Sequence, residues 1–206
     1  MAKGLFVVIS GPSGVGKGTI IDLLKQRVKN AVFVLSHTTR AKRPGEKDGE
    51  VYNFVSVDDF KRGIEQGEFL EWAQVHQQDY YGTMKEPIEK ALATGKLVIR
   101  EVDIQGAKSI KQLIPKEQLL MIFIQPESLN LLRSRIEHRG KLPEEEVQRR
   151  MHSAELEIAE AKHFDQRVTN YEGQIQRCYL DVEGLIKSNA EHRGIYMGNA
   201  SGGLLV

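Results

Sequence analysis

Apolar residues along this chain fall into short continuous runs separated by segments of helical period. Leu5, Phe6, Val7, Val8 and Ile9 form an unbroken run rich in branched residues, as expected of a strand buried on both faces. Over 17–29 the apolar positions Ile20, Leu23, Leu24 and Val28 recur at helical spacing. Residues 32–35 predict a second strand. Residues 36–82 are polar, with several glycines and aromatics, and only 58–66 reads as a helix there. A helix follows over 86–94, with Pro87 in its first turn and Gly95 at its end. Leu97, Val98 and Ile99 open a third strand that runs out to Glu101 and Asp103.

The second half repeats the rhythm. A strand is predicted over 119–124, then a helix capped by Ser128 and reaching about Arg139. Gly140 breaks it, and Pro143 with three following glutamates starts a long helix to about His163. A short strand over 166–170 and a helix over 171–189 close the pattern. Strands alternating with helices imply an α/β fold with a parallel sheet and right-handed crossovers. No internal repeat is present. From 194 onward there are four glycines in thirteen residues and no periodicity, so 191–206 is expected to be a mobile tail.

Composition narrows the function. Lysine and arginine (29) balance aspartate and glutamate (28), a net charge of +1, so no broad basic field exists to hold a nucleic acid or an anionic membrane. With 40% apolar residues the chain can bury a real core, yet no run approaches the ~18 residues of a membrane span. The N-terminal apolar run is too short for a signal segment. These features predict a cytoplasmic protein. Cys178 is the only cysteine, which excludes an intrachain disulfide and a cysteine metal cluster. It shares a helical face with Ile175, Val182 and Leu185, so a buried, inert thiol is expected.

Phosphate chemistry must therefore come from local clusters, and one follows the first strand directly. Gly11, Pro12, Ser13, Gly14, Val15, Gly16, Lys17, Gly18 and Thr19 lead from strand to helix. Glycines let backbone N–H groups converge on phosphate oxygens, the helix N-terminus adds partial positive charge, and Lys17 reaches the β- and γ-phosphates. This predicts an ATP site on a P-loop NTPase-like core. Gly18 stands where most such loops carry a hydroxyl ligand for Mg²⁺, with Thr19 one residue later. That form is similar to adenylate kinase and other nucleoside monophosphate kinases, in which the metal is held largely through water. A GTPase is disfavoured, because no Asn/Thr-Lys-x-Asp guanine-reading motif occurs.

A second anion site is suggested by Arg40 and Arg43, three apart, with Tyr52 and Tyr81. Guanidinium forks grip phosphate oxygens bidentately and phenols complete the shell, although a solvated basic loop would look much the same. The wider pattern is more specific. Ser36-His-Thr-Thr-Arg40-Ala-Lys-Arg43-Pro-Gly-Glu46, Asp48-Gly-Glu-Val-Tyr52-Asn-Phe54, Gly67-Glu-Phe-Leu-Glu71-Trp-Ala73, Tyr80-Tyr-Gly-Thr83 and Asp103-Ile-Gln-Gly-Ala107 follow the phosphate loop in order. The chain closely resembles the guanylate kinase family through these motifs, over about residues 4–190.

The resemblance implies phosphoryl transfer from ATP to GMP, with dGMP as a further acceptor, assisted by Mg²⁺. It implies that Arg40, Arg43, Tyr52 and Tyr81 hold the GMP phosphate, that Glu46 steadies the arginines, and that Ser36, Glu71 and Thr83 read guanine. Relative to the family pattern, the loop before Tyr80 carries an extra residue, Gln77 or Gln78. Physically, a Glu71 carboxylate can accept from guanine N1–H and N2–H₂ together, whereas adenine offers an unprotonated N1. Glu101 and Asp103 share a strand face where ligands bind in open α/β sheets, and the resemblance makes them neighbours of the acceptor and the hydrated metal; a carboxylate capping the next helix is the alternative for Asp103.

Arg135 and Arg139 lie i, i+4 on one helix, with Arg150 beyond the Gly140 break. By resemblance all three serve the transferring phosphoryl, while Arg133, Lys141 and Arg149 read as solvent charges. Asn170 resembles the residue near the adenine edge, though a plain turn asparagine fits as well. The expected organisation is a kinase core over 1–36 and 84–190, a GMP lobe over 37–83, and a lid at about 137–149. Two other readings stay open: a silent protein-binding module of this family, opposed by the intact phosphate loop, and a kinase for another monophosphate, opposed by Glu71 with Ser36. The partners expected are ATP and GMP, with a homodimer left open.

Overall fold

The computed structural model describes residues 4–75, 79–138 and 142–198. Gln77, Gln78, Arg139, Gly140 and Lys141 lie outside the described residues. A five-stranded parallel sheet forms the centre, built from β1 (Leu5–Ser10), β2 (Ala31–Phe33), β7 (Leu97–Glu101), β8 (Leu119–Pro126) and β9 (Gln166–Asn170) in the order β2-β7-β1-β8-β9. Beside it stands a four-stranded sheet of β3 (His37–Thr38), β4 (Asn53–Phe54), β5 (Phe69–Val75) and β6 (Asp79–Met84), in the order β4-β3-β6-β5.

The apolar run of β1 is explained by what covers it. Leu5, Val7 and Ile9 face one core cluster, with Ile20 and Leu24 of α1 (Lys17–Arg27) and Tyr179, Val182 and Ile186 of α7 (Ile175–Glu191). Phe6 and Val8 face the other, with Ile88 and Leu92 of α3 (Lys85–Ala93) and Ala107 and Ile110 of α4 (Ile104–Leu113). Alternate residues thus serve two cores, and no polar face remains on the strand. The outer positions on the β8 side carry α5 (Leu129–His138) and α6 (Glu144–Ala159), the latter continued by a short 3₁₀ turn over Glu160–His163. Among the described residues, no helix is long and apolar enough to cross a membrane.

Sequence patterning missed most of the second sheet. Its strands are short or half-exposed, so no alternation shows, and its cohesion comes from the antiparallel β5–β6 ladder and aromatic packing. Phe60 of α2 (Val57–Glu65) stacks on Phe69 with ring centroids 4.3 Å apart, and Ser56 caps α2 by accepting from the Asp59 amide at 3.0 Å. The helix after Asp103, implied by the alternative reading of that carboxylate, is α4, and Asp103 does cap it, accepting from the Gly106 amide at 2.7 Å. The last helix starts at Ile175 rather than 171.

The stretch expected to be a mobile tail from 191 needs correction over its first part. Ile195 and Met197 are buried in the core, the Ile195 amide donates to the Ala190 carbonyl at 3.0 Å, and the Asn30 amide donates to the Met197 carbonyl at 3.3 Å. Four glycines concealed two buried apolar anchors. Cys178 is buried as expected, and burial pushes its thiol up to about 11.

Candidate active site

Strand order reverses direction at β1, and the C-terminal ends of β1 and β7 open into a cleft of about 830 Å³. Gly11, Ser13, Gly14, Gly16, Lys17 and Gly18 line one side of it, and Ser36, Arg40, Arg43, Tyr52, Glu71 and Tyr81 the other. Arg100, Glu101, Asp103 and Glu157 lie between them.

The loop side is shaped by close backbone contacts. Gly11 sits at φ 147°, and a Cβ there would stand 2.2 Å from the Ile124 carbonyl oxygen, so no other residue fits. Gly16, at φ 104°, begins α1 in a left-handed conformation, which turns the chain sharply into the helix. The helix has no acidic residue in its first turn, so its N-terminal amides are left to an anion. Lys17 Nζ donates to the carbonyls of Gly11 at 2.5 Å and Pro12 at 3.1 Å and lies 3.9 Å from Glu101 Oε1. The ammonium is thereby held over the mouth of the loop. Pro12 and Val15 are buried and shape the loop from behind, and Thr19 is exposed and does not line the cleft.

On the lobe side, Arg40 NH2 donates to Glu46 Oε1 at 3.0 Å, and the Arg43 amide donates to Glu46 Oε2 at 2.8 Å. Glu46 therefore steadies this arginine segment by contact, outside the cleft, and its carboxyl is held below the usual range by Arg40 first. The Arg40 guanidinium stands over the rings of Tyr52 at 5.4 Å and Phe54 at 5.5 Å, and Tyr52 meets Tyr81 edge to face at 5.7 Å. Burial raises the Tyr52 phenol above its ordinary value, so it is a neutral hydrogen-bonding group.

Deeper in the cleft, Glu71 of β5 pairs in register with Thr83 of β6, and the buried Thr83 hydroxyl donates to Glu71 Oε1. The same oxygen accepts from Arg100 NH2 at 3.1 Å. Arg100 also donates to Ser36 Oγ at 3.0 Å and to the Val34 carbonyl at 3.0 Å. It is 6% exposed; burial lowers its pKa, and Glu71 opposes that shift. Sequence reading missed Arg100, although the signal was present: one charge interrupts the apolar run of a central strand.

Glu157 was also missed. It projects from α6 two helical turns after Arg150, and burial raises its carboxyl while Lys17 opposes the rise.

Other expected residues lie elsewhere. Arg135 pairs with Glu172 at 2.9 Å and Arg150 with Glu146 at 2.7 Å, and neither lines the cleft in this arrangement. Arg139 lies outside the described residues. Asn170 is buried and donates to the Val15 carbonyl at 2.7 Å, so here it supports the phosphate loop from below instead of bordering the cleft.

For a metal, the donor set is informative. Among the described residues no cluster of three or more His, Cys, Asp or Glu could hold an ion, and Gly18 offers no hydroxyl. Glu101 and Asp103 line the cleft near Lys17, which suits an ion carried on phosphates and held through water.

A family model described as guanylate kinase matches residues 3–189. The chain is 46% identical over 187 residues to the guanylate kinase of Thermosynechococcus vestitus, covering 91% of this chain and 95% of that one. It is 44% identical over 186 residues to the guanylate kinase of Carboxydothermus hydrogenoformans, covering 90% and 89%. The crystal structure of guanylate kinase from Anaplasma phagocytophilum superimposes with a TM-score of 0.72 at 28% identity, over 92% of this chain and 87% of that one. Likeness of this extent, on a fold and a cleft of this kind, shows that the chain belongs to the guanylate kinase family.

Proposed function

We propose that this cleft performs the family's reaction, ATP + GMP → ADP + GDP, with the residue roles that follow. One observation carries the reading: a phosphate-binding loop and a buried hydroxyl–carboxylate pocket face each other across a single cleft. ATP lies along the loop with its phosphates on the α1 amides, Lys17 bridging the β- and γ-phosphates. GMP lies opposite, its phosphate on Arg40, Arg43, Tyr52 and Tyr81 and its base on Ser36 and Glu71.

An oxygen of the GMP phosphate attacks the γ-phosphorus, a new P–O bond forms, and the bond to the β-phosphate oxygen breaks to leave ADP. The nucleophile is already an anionic oxygen, so no general base is required. Catalysis consists of alignment and of neutralising charge on the equatorial oxygens. Lys17 supplies part of that charge, and Arg135, Arg139 and Arg150 supply the rest when the lid closes and excludes water. A magnesium ion would neutralise charge on the ATP phosphates, and Glu101 and Asp103 would hold it through water. Asp103 is already oriented by its cap on the Gly106 amide at 2.7 Å before any ligand arrives.

The test is a coupled assay of ATP with GMP, dGMP, AMP, CMP and UMP. Rapid turnover with GMP and dGMP alone supports the reading; a better rate with AMP or CMP, or no transfer at all, rejects it.

A further inference from the structure

Arg100 is a buried cation in the middle strand region of a parallel sheet, opposite Val8 in register and flanked along β7 by Ile99 and Glu101. Its Nε is buried without a hydrogen-bond partner. A position so poorly satisfied is expected where the side chain serves function more than folding. Its two terminal nitrogens meet Val34, Ser36 and Glu71, and the last two line the cleft.

A guanidinium can only donate, and that fact propagates. Ser36 Oγ must accept from Arg100, which leaves its single proton for an acceptor on the ligand. Thr83 donates its proton to Glu71, so Thr83 is not a donor to the base, although the resemblance groups it with Ser36 as a reader of guanine. Glu71 Oε1 is saturated by Arg100 and Thr83 together. Glu71 Oε2 lies beside the start of α4, 3.6 Å from where a methyl on Gly106 would stand, and is the oxygen left for ligand donors. The pocket therefore presents one donor and one acceptor in fixed positions.

We propose that Arg100 is a positioning residue that sets this hydrogen-bond polarity, making Ser36 a donor and Glu71 an acceptor, and thereby selects a 6-oxopurine over a 6-aminopurine. The inference rests on reading the cleft as a GMP site. Guanine presents an acceptor at O6 beside donors at N1 and N2; adenine reverses the first two. Without Arg100 the Ser36 hydroxyl can rotate to accept, and Glu71 can swing.

Arg100→Gln keeps hydrogen bonding but lets one amide both donate and accept, so it relaxes polarity. Arg100→Met removes it altogether. Both are assayed with GMP, IMP and AMP, beside thermal melts. We expect KM for GMP to rise about 10- to 100-fold in Arg100→Met while KM for ATP stays within about twofold. The GMP-to-AMP ratio of kcat/KM should fall at least about tenfold in both variants. In a Ser36→Ala, Glu71→Gln background, adding Arg100→Gln should change the ratio by less than about threefold, because its route to the base is gone.

An unchanged GMP KM and ratio in a folded Arg100→Met protein overturns the proposal. So does an equal effect of Arg100→Gln with and without its two partners. If neither Arg100 variant melts cooperatively, Ser36→Ala decides: a GMP KM within about twofold of the parent overturns the proposed donor, and a rise of about tenfold or more supports it. IMP separates O6 reading from 2-amino reading, since it keeps O6 and N1–H. Failure of the parent protein to prefer GMP would reject the function itself, and that outcome is distinct from every variant result.

Discussion

The side-chain amide of Asn170, the last residue of β9, donates to the Val15 carbonyl at 2.7 Å and joins the far edge of the sheet to the phosphate loop. Both residues are buried, so water cannot replace the bond. The same amide nitrogen stands 2.8 Å from where a Cβ on Gly16 would be, so amide and glycine define each other's space. Asn170→Ala should leave the Val15 carbonyl unsatisfied and cost about 1–3 kcal/mol of stability. KM for ATP should rise while KM for GMP holds. Urea melts and two-substrate kinetics check this; an unchanged melt together with an unchanged ATP KM would refute the tie.

That bond also shows what sequence could and could not convey. The central sheet was legible because β1, β7 and β8 are apolar runs with helices between them, and burial on both faces leaves no other reading. The phosphate loop was legible because glycine spacing and strand-to-helix context coincide. In the lobe only α2 was legible from pattern; its sheet was legible through the motifs alone, since β3 and β4 are two residues each and carry no period. Asn170 and Arg100 escaped a physical reading because their partners are 155 and 29–66 residues away, and only the fold brings them together. Ile195 and Met197 were hidden by neighbouring glycines that suggested disorder.

His37 gives the fold a dependence on pH. Its ring meets Phe69 edge to face at 6.3 Å, and its Nδ1 is buried without a partner. Burial first, then Arg100, lowers its pKa, with Asp48 opposing. The unfolded chain takes up a proton near pH 6.5 that the native state refuses. Stability is therefore full above about pH 6.5 and falls as pH drops toward the lowered native value. Urea midpoints at pH 7.5, 6.5 and 5.5 should decline in that order, and His37→Gln should flatten the decline. An identical slope in the two proteins would count against His37.

Closure of the proposed lid should require only weak bonds to break. Arg135 is held by Glu172 and Arg150 by Glu146, and Glu172 is 61% exposed. Each pair keeps one partner more than a third exposed, and ion pairs at the surface contribute about 0.2–1 kcal/mol, far less than a polyphosphate offers two guanidinium groups. X-ray scattering should show a smaller radius of gyration with GMP plus a non-hydrolysable ATP analogue than with neither. Superimposable profiles would mean that the arginines reach the phosphates without closure, or do not reach them.

Lys17 offers the sharpest test of the loop's part in the chemistry. Its ammonium is held by the Gly11 and Pro12 carbonyls with Glu101 nearby, so the charge is already positioned before ATP arrives. Preorganised charge of this kind costs no reorganisation when the γ-phosphoryl begins to move. Lys17→Ala removes it and leaves the lobe, the proposed GMP site, untouched. The loss should be on the order of 3–4 kcal/mol in the transition state, or about 10²- to 10³-fold in kcat. GMP affinity measured by calorimetry should stay within about twofold, since no GMP ligand has moved. Two carbonyls lose a donor, but the Pro12 carbonyl still accepts from the Val15 amide at 3.2 Å, so the melting temperature should shift by only a few degrees, about what 1 kcal/mol produces in a chain of this size. A Lys17→Ala protein with near-parental turnover would take the lysine out of the mechanism, and one that also lost GMP binding would show that the loop and the lobe are not the independent sites described above.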